Sequence, residues 1–302
     1  MAVRDSLPEP LAQRAFTAHE ARTLGVTRAR LRAGDLRHPH HGVHVAHDAK
    51  SAHERALTYA PLLLPGQFFS HTFAASLWEL PLPLPLENGP IHVSAAAPQR
   101  APKGAAVVGH KLDRSHWETA ILGGVPVSTA VDVWCQLGNT LSLGQLIMIG
   151  DALVGRQDPL ATMPQLIRGL ARMNGRRGAK RLREALLSIR PGTDSPQETK
   201  LRLSLVQAGL PEPQVNRVIV DDDGAFMALG DLVYPEHRVL VEYDGAVHFA
   251  TESQAFRDID RLDRLMAAGW RVIRVNRSHL GTPSLIADRV AQALRSRGVP
   301  NG

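Results

Sequence analysis

Two acidic residues stand where this chain is expected to run as adjacent strands. The runs Gly230-Asp231-Leu232-Val233-Tyr234 and Arg238-Val239-Leu240-Val241-Glu242-Tyr243-Asp244-Gly245 are rich in β-branched and aliphatic residues, and Pro235-Glu236-His237 separates them. That pattern predicts a hairpin, with Asp231 and Glu242 on neighbouring strands. Carboxylates buried there are costly unless they are paired or bind a cation. Hard oxygen donors suit a hard divalent ion, Mg²⁺ or Mn²⁺. Asp231 and Glu242 are therefore expected metal ligands, the alternative being a purely structural role. His248 follows closely, and a histidine can move protons near neutral pH.

The charge of the chain points the same way when it is located. Of a formal net +6, the segment from Arg168 to Arg190 holds +7, because eight Lys/Arg stand against Glu184 alone. The rest of the chain therefore sums to −1. A local basic stripe that includes Arg176, Arg177, Lys180 and Arg181 suits a polyanion, nucleic acid above all. A solvated helix face is the competing reading.

The elements that must position these groups follow from the pattern. The fold class expected is α+β, in four parts: 1–48, 49–170, a basic connector at 171–194, and 195–302. In the first part Ala18–Leu24 reads as a helix, Gly25 as a turn, and Thr27 as the cap of a second helix to Ala33. Leu36–Ala46 reads as a small hairpin around His40-His41-Gly42. This is the order of a winged helix-turn-helix, with Arg28, Arg30 and Arg32 on the helix that enters the major groove in such folds.

Phe16-Thr17-Ala18-His19-Glu20-Ala21-Arg22-Thr23-Leu24-Gly25-Val26-Thr27-Arg28-Ala29-Arg30-Leu31, with Gly42-Val43-His44-Val45, resembles the N-terminal domain of AbiEi-type antitoxins. Ser70-His71-Thr72-Phe73-Ala74-Ala75-Ser76-Leu77-Trp78 and Gly124-Val125-Pro126-Val127-Ser128-Thr129-Ala130 resemble that family's middle region. The resemblance implies a winged-helix transcriptional regulator. In the wing this chain carries His38, His40, His41 and His44 where arginines and aromatics are more usual. A histidine cluster can bind metal, but no cysteine or regular ligand spacing accompanies this one.

In the middle region Pro81–Leu86 reads as an extended connector and Ile91–Val93 and Ala106–Val108 as strands. Ser128–Leu137 and Leu143–Leu153 read as helices. Trp78, Trp117 and Trp134 are expected in the core, and no chemistry is legible here. In the last part Ser195-Pro196-Gln197-Glu198 opens a helix through a capping box. Strands at 215–220, 226–234 and 238–243 follow, then a helix at 252–268, a strand at 271–275 and a helix at 284–295.

That order, with Ser195-Pro196-Gln197-Glu198-Thr199, Asp231, Glu242-Tyr243-Asp244-Gly245, His248, Asp260-Arg261 and Gly269-Trp270-Arg271-Val272-Ile273-Arg274, resembles the PD-(D/E)XK nuclease core. It is most similar to the small domains related to the very-short-patch repair endonuclease. The resemblance implies a restriction-endonuclease-like core in which Asp231 and Glu242 hold Mg²⁺. It makes Glu198 a further acid near the metal and His248 a general acid/base. Asp244 occupies the position where the core motif has lysine, and Arg257, Arg261 or Arg264 could supply the missing cation. Asp244-Gly245 can also be read simply as a turn.

The function expected is therefore Mg²⁺-dependent phosphodiester hydrolysis on DNA, with RNA a further option for the acidic site. The alternative is a non-catalytic regulator whose nuclease fold only binds DNA, a protein partner or a second copy of itself. Cys135 is the lone cysteine, which rules out a disulfide framework and makes a reducing cytoplasm the expected location. No apolar run is long enough to span a membrane.

Overall fold

The structure, a computed structural model, describes residues 6–113, 117–245 and 252–298, with the backbone alone for 252–255. The chain divides into two compact units, Met1–Leu137 and Gly138–Gly302. Both mix helices with sheets, so the fold is α+β. Among the described residues no helix is long and apolar enough to cross a membrane.

The first unit begins with α1 (Glu9–Ala12), β1 (Phe16–Thr17), α2 (Ala18–Thr23), α3 (Arg28–Leu31) and β2 (Val43–His44). The hydroxyls of Thr17 and Thr27 accept the Glu20 and Arg30 N–H at 3.1 and 3.2 Å, which starts the two short helices. Gly25 turns the chain between them at φ +78°, where a side chain would be strained. Leu11, Phe16, Ala21, Val26, Leu31 and Leu36 bury against one another as the small core of this module. The hairpin expected at 36–46 is reduced to one bridge, Arg37↔Val45. The main partner of β2 is β1, antiparallel, with Phe16 opposite His44 and Thr17 opposite Val43.

Next come α4 (Ala52–Tyr59), β3 (Gln67–Phe69), α5 (His71–Leu77), α6 (Leu84–Glu87), β4 (Ile91–Ala96), β5 (Val107–Leu112), β6 (Thr119–Leu122), β7 (Val125–Ser128) and α7 (Ala130–Leu137). The five strands form one sheet in the order β5-β4-β3-β7-β6, parallel at β4–β5 and β3–β7. The Pro81–Leu86 run is not extended throughout. It enters α6, where Pro85 sits in the first turn and needs no N–H partner. Trp134 is fully buried, whereas Trp78 and Trp117 are half-buried.

The second unit holds α8 (Leu143–Leu153), α9 (Met163–Arg172), α10 (Ala179–Ser188), α11 (Pro196–Gln207), β8 (Gln214–Val220), β9 (Phe226–Tyr234), β10 (Val239–Asp244), α12 (Glu252–Ala267), β11 (Arg271–Asn276) and α13 (Pro283–Arg295). Asn174-Gly175-Arg176-Arg177-Gly178 leads into the helix that the sequence predicts through Ile189; this is α10, and it packs on α8. Gly178 begins α10 at φ +86°, where a Cβ would come within 2.6 Å of the Gly138 backbone.

The four strands stand in the order β11-β10-β9-β8, antiparallel except for β10–β11. Alternation along β10 and β11 sorts their side chains. Val239, Val241, Ile273 and Val275 pack with Leu201, Leu205 and Ile286 from α11 and α13. Leu240 and Val272 pack on the other face with Leu265 of α12. A buried ion pair ties α11 to α8: Arg202 Nη2 lies 2.8 Å from Asp151 Oδ2, and both side chains are almost wholly out of solvent.

Candidate functional site

The carboxylates of the second unit gather where β9 and β10 part. Their ladder ends at Val241↔Leu232. Beyond it the Tyr243 N–H is accepted by Asp231 Oδ2 at 2.8 Å, so a side chain takes the place of a strand partner. Burial pushes the Asp231 carboxyl up to about 7, and the nearby charges of Glu198 and Glu242 add to the rise.

Glu242 is buried, and both of its oxygens are held by Arg261 of α12, at 2.5 and 3.1 Å. Arg261 also donates to Asp258 at 2.7 Å. The hydrogen bond to Glu242, before all else, raises the guanidinium pKa and keeps it charged. Asp244 pairs with Arg274 at 2.8 Å, and Arg274 reaches Asp258 at 3.2 Å. Arg257 and Arg264 of the same helix are exposed.

Glu198 is buried at the start of α11. Its Oε1 accepts the Ser195 hydroxyl at 2.8 Å, and its Oε2 accepts the Asp194 N–H at 3.1 Å and Asn216 Nδ2 at 2.9 Å. The reach back goes to Asp194, one residue earlier than a capping box requires. His248 lies outside the described residues.

The basic positions divide into exposed and engaged groups. Arg28 and Arg32 are exposed, but Arg30 is held in a bidentate pair with Asp35 at 2.9 and 3.0 Å. Arg177 and Lys180 are exposed and Arg176 is half-buried. Arg181 Nη1 donates to the Gly138 and Leu141 carbonyls at 3.3 and 3.0 Å. Of the histidines at 38–44, His44 is buried, His40 is half-buried, and His38 and His41 are exposed. His44 stacks on Phe16 with His38 edge-on to it, and His40 meets Tyr59.

The middle region does hold a chemical constellation, which corrects the sequence reading. His71 at the start of α5, His92 on β4 and His110 on β5 each bring one ring nitrogen within 4.8 Å of the others. His92 Nδ1 and His110 Nε2 are 2.9 Å apart, and the His71 and His110 rings stack at 3.7 Å. Burial, then the neighbouring rings, pushes His71 down to about 3 and His92 to about 4, and burial lowers His110 too. The signal in the sequence was a histidine on each of two strands plus one after β3. Only the β4–β5 pairing, Ser94↔His110, joins them.

No family model matches the chain, and no solved structure matches it. Two uncharacterized proteins from two strains of Mycobacterium tuberculosis are similar to it, each 27% identical over 188 residues. That match covers 62% of this chain and 66% of the relative, just under two thirds of the relatives' length.

Proposed function

We propose that the second unit is a restriction-endonuclease-like domain that hydrolyses phosphodiester bonds in DNA with Mg²⁺ or Mn²⁺. In this reading the first unit opens with a winged helix-turn-helix that binds duplex DNA. The observation that carries the proposal is the placing of Asp231, whose Oδ2 accepts the Tyr243 N–H at 2.8 Å just past the end of the β9–β10 ladder, next to buried Glu242; burial pushes its carboxyl up to about 7. A buried acid so displaced lacks a full counter-charge, and a hard divalent ion between Asp231 and Glu242 would supply it. Such an ion, when bound, polarises the phosphate and lowers the pKa of water. Arg261 contributes the positive charge that Asp244 cannot, from within hydrogen-bond reach of Glu242. Arg274 holds Asp244 and keeps its carboxylate compensated. Glu198 is fixed by three donors as a further acid at the edge of the site.

A second reading, a domain that binds without cutting, is favoured by one observation. Glu242 is already neutralised by Arg261 with no metal needed. Plasmid cleavage with Mg²⁺ or Mn²⁺, together with calorimetric titration of Mn²⁺, separates the two. The nuclease reading expects both uptake and cleavage, lost in Asp231→Asn and Glu242→Gln. No uptake at millimolar Mn²⁺ overturns it, and uptake without cleavage leaves the binding domain.

A further inference from the structure

The histidine cluster of the first unit is independent of the acidic site in place and in chemistry. The three residues come from three elements, so their approach is a product of the fold rather than of a local sequence run. Along β4, His92 and Ser94 share a face, and Ser94 stands opposite His110 across the parallel pair. The start of α5 sets His71 against that face, where its ring lies 5.8 Å from that of His92 and 3.7 Å from that of His110.

A polar shell fixes the cluster from behind. His71 Nδ1 meets Ser70 Oγ at 3.0 Å, and Ser94 Oγ donates to Ser70 Oγ at 2.7 Å. The His71 N–H donates to Gln136 Oε1 at 2.8 Å, and Gln136 Nε2 donates to Ser128 Oγ at 2.9 Å. Ser70, Ser94 and Ser128 are fully buried. His71 itself sits at φ +53°, a left-handed conformation that a non-glycine residue keeps only when its surroundings enforce it. A ring whose one nitrogen is held by an outer partner presents the other to an ion, the usual arrangement of a metal-binding histidine. For His71 the ring nitrogen left to coordinate is Nε2.

We propose that His71, His92 and His110 form a three-histidine site for a borderline transition-metal ion, Zn²⁺ in preference to Mg²⁺ or Ca²⁺. Three imidazoles select zinc and its neighbours over hard cations, which take oxygen. The 2.9 Å separation between His92 Nδ1 and His110 Nε2 is shorter than the edge of roughly 3.3 Å of a tetrahedron with metal–nitrogen bonds of about 2.0–2.1 Å, so the two rings must part by about 0.4 Å to share an ion. An ion between those two nitrogens takes the place of their hydrogen bond, and the N–H proton of the donating ring moves to that ring's other nitrogen. The His71 and His110 rings must turn out of their stack for the lone pairs to converge. No fourth protein ligand belongs to the cluster among the described residues. Because β5 is an edge strand and all three rings are half-buried, the fourth position opens to water or to an anionic ligand.

The test uses the full chain, stripped with a chelator and titrated with ZnCl₂ by calorimetry, with MgCl₂ and MnCl₂ in parallel. The wild type is expected to take up one Zn²⁺, and His92→Gln and His110→Gln to bind at least about a hundred-fold more weakly. Asp231→Asn and the exposed-histidine variant His41→Gln are expected to bind Zn²⁺ like the wild type, which separates this site from the acidic one and from the wing. Each variant is checked for a cooperative melt. If the ligand variants do not fold, Co²⁺ added to the wild type decides, through the visible absorption of a tetrahedral nitrogen site. Absence of Zn²⁺ uptake, uptake unchanged in both ligand variants, or no tetrahedral Co²⁺ band would overturn the proposal.

Discussion

Arg261 holds both oxygens of Glu242, one at 2.5 Å and the other at 3.1 Å, and so clips α12 to β10 over the acidic site. The acid is almost fully buried and the guanidinium is a quarter exposed. Removing the arginine leaves a buried charge without its partner. Arg261→Ala should therefore cost about 3 kcal/mol, the low end for breaking a buried pair, read by urea unfolding. The same variant should bind Mn²⁺ more tightly and cleave DNA more slowly, because the competing cation and the stabilising cation are one group. Slower cleavage with unchanged Mn²⁺ affinity would mean that Glu242 is not a ligand.

The raised Asp231 carboxyl has a definite pH signature in the metal-free protein. The folded state keeps this proton up to about 7, whereas the unfolded chain releases it near 4. The stabilising effect of that proton is fully present below pH 4 and is lost as pH rises to about 7. The difference between those two pKa values corresponds to a loss of at most about 4 kcal/mol. Asp231→Asn should flatten that slope and be more stable than the wild type at pH 8. Urea unfolding between pH 5 and 8 in chelator checks it, and parallel curves for the two proteins would count against a raised Asp231 pKa.

Arg28 and Arg30 of α3 and Arg32 at its C-terminal cap are not equivalent. Arg28 and Arg32 are exposed, and each replaced by Ala should lower the slope of log K against log salt by about one unit for a phosphate contact. Arg30, paired with Asp35, should instead leave the slope nearly unchanged. Fluorescence anisotropy of a labelled duplex at several salt concentrations distinguishes them. Equal losses at all three positions would mean that the Arg30–Asp35 pair opens on DNA.

Within the basic stripe, reversal of Arg177 and Lys180 to Glu should weaken binding to all DNA sequences alike. Arg181→Ala should act mainly on stability, by about 1 kcal/mol for its lost hydrogen bonds to the Gly138 and Leu141 carbonyls. Competition binding with unrelated duplexes and a thermal melt provide the two readouts. A loss confined to one target sequence would remove the stripe's non-specific role.

Much of this protein was legible in local pattern. Thr27 announced α3, and the Pro235 turn announced the pairing of β9 with β10, because caps and hairpins are settled by neighbours in sequence. That Asp231 and Glu242 lie on neighbouring strands follows from that hairpin alone. What occupies Glu242 does not, since Arg261 arrives from a helix 19 residues away and only packing selects it over Arg257 or Arg264. Arg30 and Arg181 read as free basic side chains, and partners supplied by the fold took them out of that role. The histidine cluster was beyond sequence reading for the same reason. His71, His92 and His110 are spread over forty positions, and an α5 start, a β4 face and a parallel β4–β5 pairing are all needed to join them. Periodicity fixes which face a side chain takes, whereas long-range pairing decides which faces meet.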